Sequence, residues 1–235
     1  MNRVEFIESN FIKHHLSYLR SQNTPPTEFR QHSDAIFEYL GSKLHDFFPT
    51  TTKKITTPLT EMEAGFTDIG RTLLVAILRS GYPMCSGIQK SFDQAPIALV
   101  DIKRDEATAQ PHLNYDGLPK SLKDYDSIII PDPMLATGGS ACMSLDMLKK
   151  RGAKNIIYVS LISAPTGINK ILSDFPDVKL IVCAADPEIN EKKYIVPGLG
   201  DFGDRYFGNE PLSIYDELQN QTIVYQPNGK FTLKK

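Results

Sequence analysis

Cysteine is scarce in this chain. Cys85, Cys142 and Cys183 lie far apart, with no C-x-x-C pair and no even set, so neither a disulfide framework nor a zinc framework is expected. All three are read as buried free thiols. Histidine is scarce as well; His14 and His15 are adjacent, and neighbours on a helix point in different directions, which makes a poor metal pair. No stretch approaches the ~18–20 apolar residues of a membrane span, and Met1 to Lys13 carries charges where a signal peptide needs an apolar core. The expectation is a cytoplasmic protein that does not enter the membrane. Neither sign of charge is in excess: 26 Lys and Arg against 28 Asp and Glu leave a formal net charge of -2. Such a chain has no general attraction to nucleic acid or to an anionic surface, and its partners must be argued from local sites.

What is present is an ordinary globular composition, 41% hydrophobic over 235 residues with no break that would force two domains. Val4 to Ser21 and Pro26 to Phe47 show apolar residues at helical spacing, separated by the breaker-rich stretch Ser21 to Pro26. Ile36, Leu40 and Leu44 fall four apart and Phe29 lies seven before Ile36, so one face of the second helix must pack on the main sheet or on a dimer partner. Ile55 to Leu59 reads as a weak strand in a Thr-rich connection, Pro49 to Gly70.

From Thr72 the pattern becomes α/β. Thr72 to Leu78 is an almost wholly apolar run of strand length, as expected when both faces of a parallel strand are covered. A helix over Tyr82 to Phe92 and a strand over Ala95 to Asp101 follow. The polar stretch Arg104 to Asp126 is then long enough to be a lid over a site rather than a passive loop. Ser127 to Pro131 is the next strand, Asn155 to Ser163 and Val178 to Ala184 are two more, and Pro165 to Phe175 is a helix. Strands alternating with helices in this way indicate a parallel sheet with right-handed crossovers. Ligands of such sheets sit at the carboxyl ends of the strands, so Arg79, Asp101 to Arg104 and Asp132 to Ser140 should converge on one crevice.

The last of these carries the clearest chemistry. Asp132-Pro133-Met134-Leu135-Ala136-Thr137-Gly138-Gly139-Ser140 follows a strand and precedes an amphipathic segment. A helix N-terminus offers free N–H groups and a positive dipole end, Thr137 and Ser140 add hydroxyls, and Gly138 and Gly139 let the backbone approach a ligand closely. That is an anion cradle, with a tight turn capped by serine as the plainer reading. It is not an ATPase loop, which needs a lysine on the phosphates. Gly198 to Gly203 matches G-x-G-x-x-G, but it follows a proline near the end of the sheet-forming chain and so lacks the βαβ setting of a dinucleotide site. Thr222 to Tyr225 and Phe231 to Leu233 flank Pro227-Asn228-Gly229 as a terminal hairpin.

The nine-residue loop Asp132 to Ser140 resembles the signature of type I phosphoribosyltransferases, in the form used by uracil phosphoribosyltransferases. Ile77 to Gly81, Arg104 to Thr108, Tyr194 to Gly208 and Lys13 to Leu16 are similar to that family in the same order. The resemblance implies an α/β fold, a type I phosphoribosyltransferase-like parallel sheet flanked by helices, with a C-terminal hood and two N-terminal helices. It divides a single domain, 1–235, into N-terminal helices and connection (1–70), sheet core (71–185), base-binding hood (186–208) and C-terminal extension (209–235). The implied reaction is that of pyrimidine salvage, 5-phosphoribosyl 1-diphosphate plus uracil giving UMP and diphosphate. Mg²⁺ is its cofactor, held mainly by the substrate rather than by direct protein ligation.

On that resemblance, Asp132, Arg104 and Asp201 are the catalytic positions. Arg79, Arg104 and Asp201, with the loop residues Asp132, Pro133, Met134, Leu135, Ala136, Thr137, Gly138, Gly139 and Ser140, take the phosphoribosyl diphosphate. Ile195, Gly200, Asp201 and Phe202 take uracil, largely through backbone groups. Pro133 stands where many type I enzymes carry a second acid, which is the uracil-enzyme form. A homodimer or higher homo-oligomer is expected, with no nucleic-acid partner. Two alternatives stay open: a phosphoribosyltransferase for another base, and a non-catalytic regulator of this fold that binds nucleotides or RNA.

Overall fold

A computed structural model of the chain describes residues 3–104, 111–208, 222–225 and 231–234, with side chains over 3–103 and 111–208. Its elements in chain order are β1 (Val4–Phe6), α1 (Asn10–Arg20), α2 (Pro26–Leu44) with a short 3₁₀ turn after it, β2 (Thr50–Thr56), β3 (Glu61–Thr67), β4 (Thr72–Leu78), α3 (Gly81–Gln89), β5 (Ile97–Arg104) and β6 (Pro111–Asp116). There follow β7 (Ser127–Leu135), α4 (Gly139–Lys150), β8 (Ile156–Ser163), α5 (Pro165–Asp174), β9 (Lys179–Ala185), β10 (Glu188–Ile189), β11 (Ile195–Val196), α6 (Phe202–Phe207), β12 (Thr222–Tyr225) and β13 (Phe231–Lys234).

Seven strands form one sheet in the order β1-β9-β8-β7-β4-β5-β6. All neighbours are parallel except β5 and β6, which are antiparallel. The central strands are apolar on both faces because helices cover both. In β4, Leu74 and Ala76 face α2 and α3, while Leu73, Val75 and Ile77 face α4. The α2 stripe of Phe29, Ile36, Phe37, Leu40 and Leu44 is fully buried against this first face, so the main domain rather than a partner covers it. Its approach to α3 is close: a Cβ on Gly87 would come within 2.4 Å of the Phe37 Cβ.

Several boundaries differ from the sequence reading. Val4 to Phe6 is an edge strand paired with β9, Val4 opposite Leu180, and the first helix starts only at Asn10. Three residues cannot express a helical period, and pairing with an open sheet edge decides their state. The connection Pro49 to Gly70 is a β2–β3 hairpin whose strands run wider than Ile55 to Leu59. Leu59 lies in its turn, 94% exposed, where the Thr57 Oγ1 accepts from the N–H groups of Leu59 and Thr60. Pro111 to Asp116 is strand β6, not loop, so the parallel sheet gains an antiparallel edge. Of the rest of the lid reading, 105–110 lie outside the described residues, whereas 117–126 is a turn packed on the domain, with Leu118 and Leu122 buried and the Leu122 N–H donating to the Arg151 carbonyl. The strands of the terminal hairpin pair as read, Thr222 opposite Lys234, and their turn lies outside the described residues.

The three cysteines are free thiols; Cys85 is buried, whereas Cys142 and Cys183 are only partly so. Burial pushes all three thiols up, which keeps them unreactive. Among the described residues no helix is long and apolar enough to cross a membrane.

Candidate active site

The carboxyl ends of β4, β5 and β7 meet, as anticipated, at one cavity of about 640 Å³ that the 186–208 segment closes from the other side. Arg79 and Ser80 follow β4, Asp101 and Lys103 come from the end of β5, and Met134, Ala136 and Ser140 come from the end of β7 and the turn after it. The far wall is Lys192, Lys193, Tyr194, Ile195 and the run Gly200 to Gly203. Four cations and two carboxylates therefore face the cavity of a chain that is weakly negative as a whole. The local field favours an anionic ligand.

Strand β7 runs on to Leu135, so Asp132 belongs to the strand and not to the turn. Its carboxylate is 7% exposed and accepts a hydrogen bond of 2.7 Å from the buried Tyr158 hydroxyl of β8. Pro133 and Leu135 are buried strand residues that do not line the cavity. The chain then turns at Thr137 and Gly138 into α4. Gly138 is the N-cap, with φ +79, a left-handed conformation that costs a residue with a Cβ about 1–2 kcal/mol. Gly139 and Ser140 open α4, so the N–H groups of its first turn lie beside the Ala136 and Ser140 wall. The backbone of Arg104 ends β5 opposite Pro111; its side chain lies outside the described residues.

The segment opposite is held by long-range polar contacts. Arg20, at the end of α1, donates to both oxygens of Asp186, at 2.7 and 2.6 Å, and to the Gly198 carbonyl at 2.8 Å. The Gly198 N–H returns to Asp186 at 2.8 Å. Burial acts to raise the Asp186 carboxyl, but the hydrogen bonds from Arg20 and the Gly198 N–H win and hold it below the ordinary carboxylate value. Arg205 ties the same segment to α1, donating to the carbonyls of Leu19, Ser21 and Leu199. Gly198 has φ +59, and a Cβ there would lie 2.1 Å from the Ile195 carbonyl oxygen, so only glycine fits.

Phe202 is buried, its ring 5.4 Å from Phe29 and 5.7 Å from Phe37, and Ile195 is buried too. Their side chains anchor the wall, which leaves backbone groups to face a ligand. Asp201 is the N-cap of α6, its Oδ1 accepting from the Asp204 N–H at 2.9 Å. Asp204 in turn accepts from Arg79 at 2.8 Å, which joins the β4 end to the opposite wall.

Of the residues anticipated from sequence, the cavity thus brings together Arg79, Met134, Ala136, Ser140, Ile195, Gly200, Asp201 and Phe202. Lys192 and Lys193 were missed, and so were the roles of Arg20, Asp186 and Tyr158. A tyrosine inside the apolar run Asn155 to Ser163 was the one visible signal for the last, because a buried phenol needs a polar partner.

A family model described as "Uracil phosphoribosyltransferase" matches residues 6–209. The uracil phosphoribosyltransferase of Ligilactobacillus salivarius is 39% identical over 210 residues, 89% of this chain and all of that protein. That of Streptococcus pneumoniae is 40% identical over the same shares. Among solved structures, a protein from Aquifex aeolicus superposes with a TM-score of 0.80 at 29% identity, covering 89% of this chain and 100% of the other. Adenine phosphoribosyltransferase from Leishmania donovani shares the fold, with a TM-score of 0.53 at 16% identity over 94% and 98% of the two chains. By sequence, the chain belongs to the uracil phosphoribosyltransferase family.

Proposed function

We propose that this chain transfers ribose 5-phosphate from 5-phosphoribosyl 1-diphosphate to uracil, giving UMP and diphosphate. The observation that carries the reading is the convergence of an α4 N-terminal turn, a cationic wall and a backbone-lined wall on one cavity. These suit, in turn, a 5′-phosphate, a diphosphate and a planar base.

In the reaction the C1′–oxygen bond to diphosphate breaks and a bond from the uracil N1 to C1′ forms, through an oxocarbenium-like ribose. The turn Ala136 to Ser140 grips the 5′-phosphate through N–H and hydroxyl donors. Asp132, an acceptor-only group when ionised, takes the ribose hydroxyls and fixes the sugar. Arg79 receives the diphosphate as a guanidinium fork, with Lys103 beside it and Arg104 at the same strand end. Backbone groups from Ile195 to Phe202 read the base edge. A pocket built this way rejects cytosine by leaving a donor facing a donor, at roughly 1–3 kcal/mol per group. The N1 proton passes to Asp201 or to water.

Asp101 and Asp201 are hard oxygen donors on the cavity wall and fit a hydrated Mg²⁺ that arrives on the substrate phosphates. When bound, that ion supplies charge neutralisation to the leaving diphosphate. The reading also carries a cytoplasmic enzyme that assembles as a homodimer or higher homo-oligomer and takes no nucleic acid. Exposed Leu59, Met62 and Phe66 on the β2–β3 hairpin support the assembly.

The test offers the protein uracil, cytosine, hypoxanthine and orotate in turn with 5-phosphoribosyl 1-diphosphate and Mg²⁺. Nucleotide formed from uracil alone supports the reading, whereas nucleotide from another base reassigns the hood.

A further inference from the structure

Tyr158 lies within β8 with no exposed surface, and its hydroxyl donates to Asp132 Oδ2 at 2.7 Å. The register explains the reach. Ile130 pairs with Tyr158 and Asp132 with Ser160, so the phenol crosses diagonally, two residues along the neighbouring strand and on the same sheet face. The contact is therefore set by rigid central strands, not by a loop. A carboxylate on a strand keeps rotational freedom about its terminal torsion, which is broad. A fixed phenol on one oxygen restricts that torsion and holds the carboxylate in a defined plane.

We infer that Tyr158 is a positioning residue: it orients the Asp132 carboxylate toward the ribose hydroxyls of the phosphoribosyl substrate. The inference rests on the reading of Asp132 as the ribose-binding acid. Burial and the neighbouring carboxylate push the Tyr158 phenol well above its ordinary value, so it is a protonated donor at neutral pH. The role goes no further than orientation, because the phenol has no exposed surface, whereas Asp132 keeps a small exposed fraction.

The experiment is a double-mutant cycle over Tyr158→Phe and Asp132→Asn, read as initial rates of UMP formation with each substrate varied separately. Tyr158→Phe is expected to lower kcat/KM for the phosphoribosyl substrate by about 10-fold, a change of about 1.4 kcal/mol, and to leave KM for uracil within 2-fold. The unchanged uracil KM doubles as a check that the variant is folded. In the Asp132→Asn background the further loss on Tyr158→Phe is expected to vanish.

Equal losses in both backgrounds would overturn the positioning role, since a purely structural tyrosine acts regardless of the carboxylate. Wild-type kinetics for Tyr158→Phe beside an impaired Asp132→Asn would also overturn it while leaving the ribose reading intact. Wild-type kinetics for Asp132→Asn itself would remove the ribose reading and this inference with it. Should Tyr158→Phe alone not fold, because it strips a donor from a buried carboxylate, the double variant relieves that burden. Its kcat/KM is then expected to equal that of Asp132→Asn, and a further tenfold loss would contradict the inference.

Discussion

Arg20 and Asp186 are 166 residues apart in sequence and meet in a bidentate pair that also holds both backbone groups of Gly198. The end of α1 thereby fixes the cavity wall at which uracil is proposed to be read. Removing one partner of a fully buried pair costs roughly 3–5 kcal/mol. Arg20 is partly exposed, so Arg20→Ala is expected to cost less, roughly 2–3 kcal/mol. Urea unfolding would measure it, and KM for uracil is expected to rise with little change in that for the phosphoribosyl substrate.

The same pair sets an acid limit. The folded Asp186 carboxyl is held below its unfolded value, so the folded protein binds fewer protons there and the contribution is complete above about pH 4–5. It is lost as pH falls through the lowered folded value. The stability difference between wild type and Asp186→Asn is therefore expected to be flat from pH 8 to about 5 and to shrink below about 4. Parallel melts across that range would show it.

How much of this was legible in the chain follows from where each residue gets its signal. Thr72 to Leu78 and Ile156 to Ser163 are buried on both faces, and an unbroken apolar run states that directly. The turn from Ala136 to Ser140 needs glycine and hydroxyls, so it too is visible in composition. Val4 to Phe6 is a strand only because an open edge at β9 accepts it, and β2 and β3 bury neither face fully, so neither carries a period. Arg20 with Asp186 and Tyr158 with Asp132 are pairings made by tertiary register, to which no local pattern corresponds. Lys192 and Lys193 look like a solvated turn until the cavity beside them is seen.

On the proposed reading, two glycines serve different substrates. Gly198→Ala would drive a methyl into the Ile195 carbonyl, and it is expected to raise KM for uracil at least ~10-fold, about 1.4 kcal/mol of lost binding. Gly138→Ala carries the left-handed penalty at the α4 cap and is expected to raise KM for the phosphoribosyl substrate instead. Steady-state kinetics with each substrate varied would separate them.

Lys193 is a non-glycine residue at φ +66 on the cavity wall. Lys193→Gly relieves the backbone but deletes a cation from the cavity wall proposed to take the anionic substrate. The expected outcome is a gain of about 0.5–1 kcal/mol in stability, a few degrees in Tm, together with a higher KM for the phosphoribosyl substrate. Differential scanning calorimetry and kinetics on one preparation would check both signs.

The central claim is the reaction itself. Pure protein is mixed with 5-phosphoribosyl 1-diphosphate, Mg²⁺ and labelled uracil, and the label is followed into UMP alongside released diphosphate. The expected result is stoichiometric UMP and diphosphate, with kcat/KM reduced at least ~10-fold in Asp132→Asn, about 1.4 kcal/mol of transition-state stabilisation. Protein that is folded and yet forms no UMP from uracil would contradict the account.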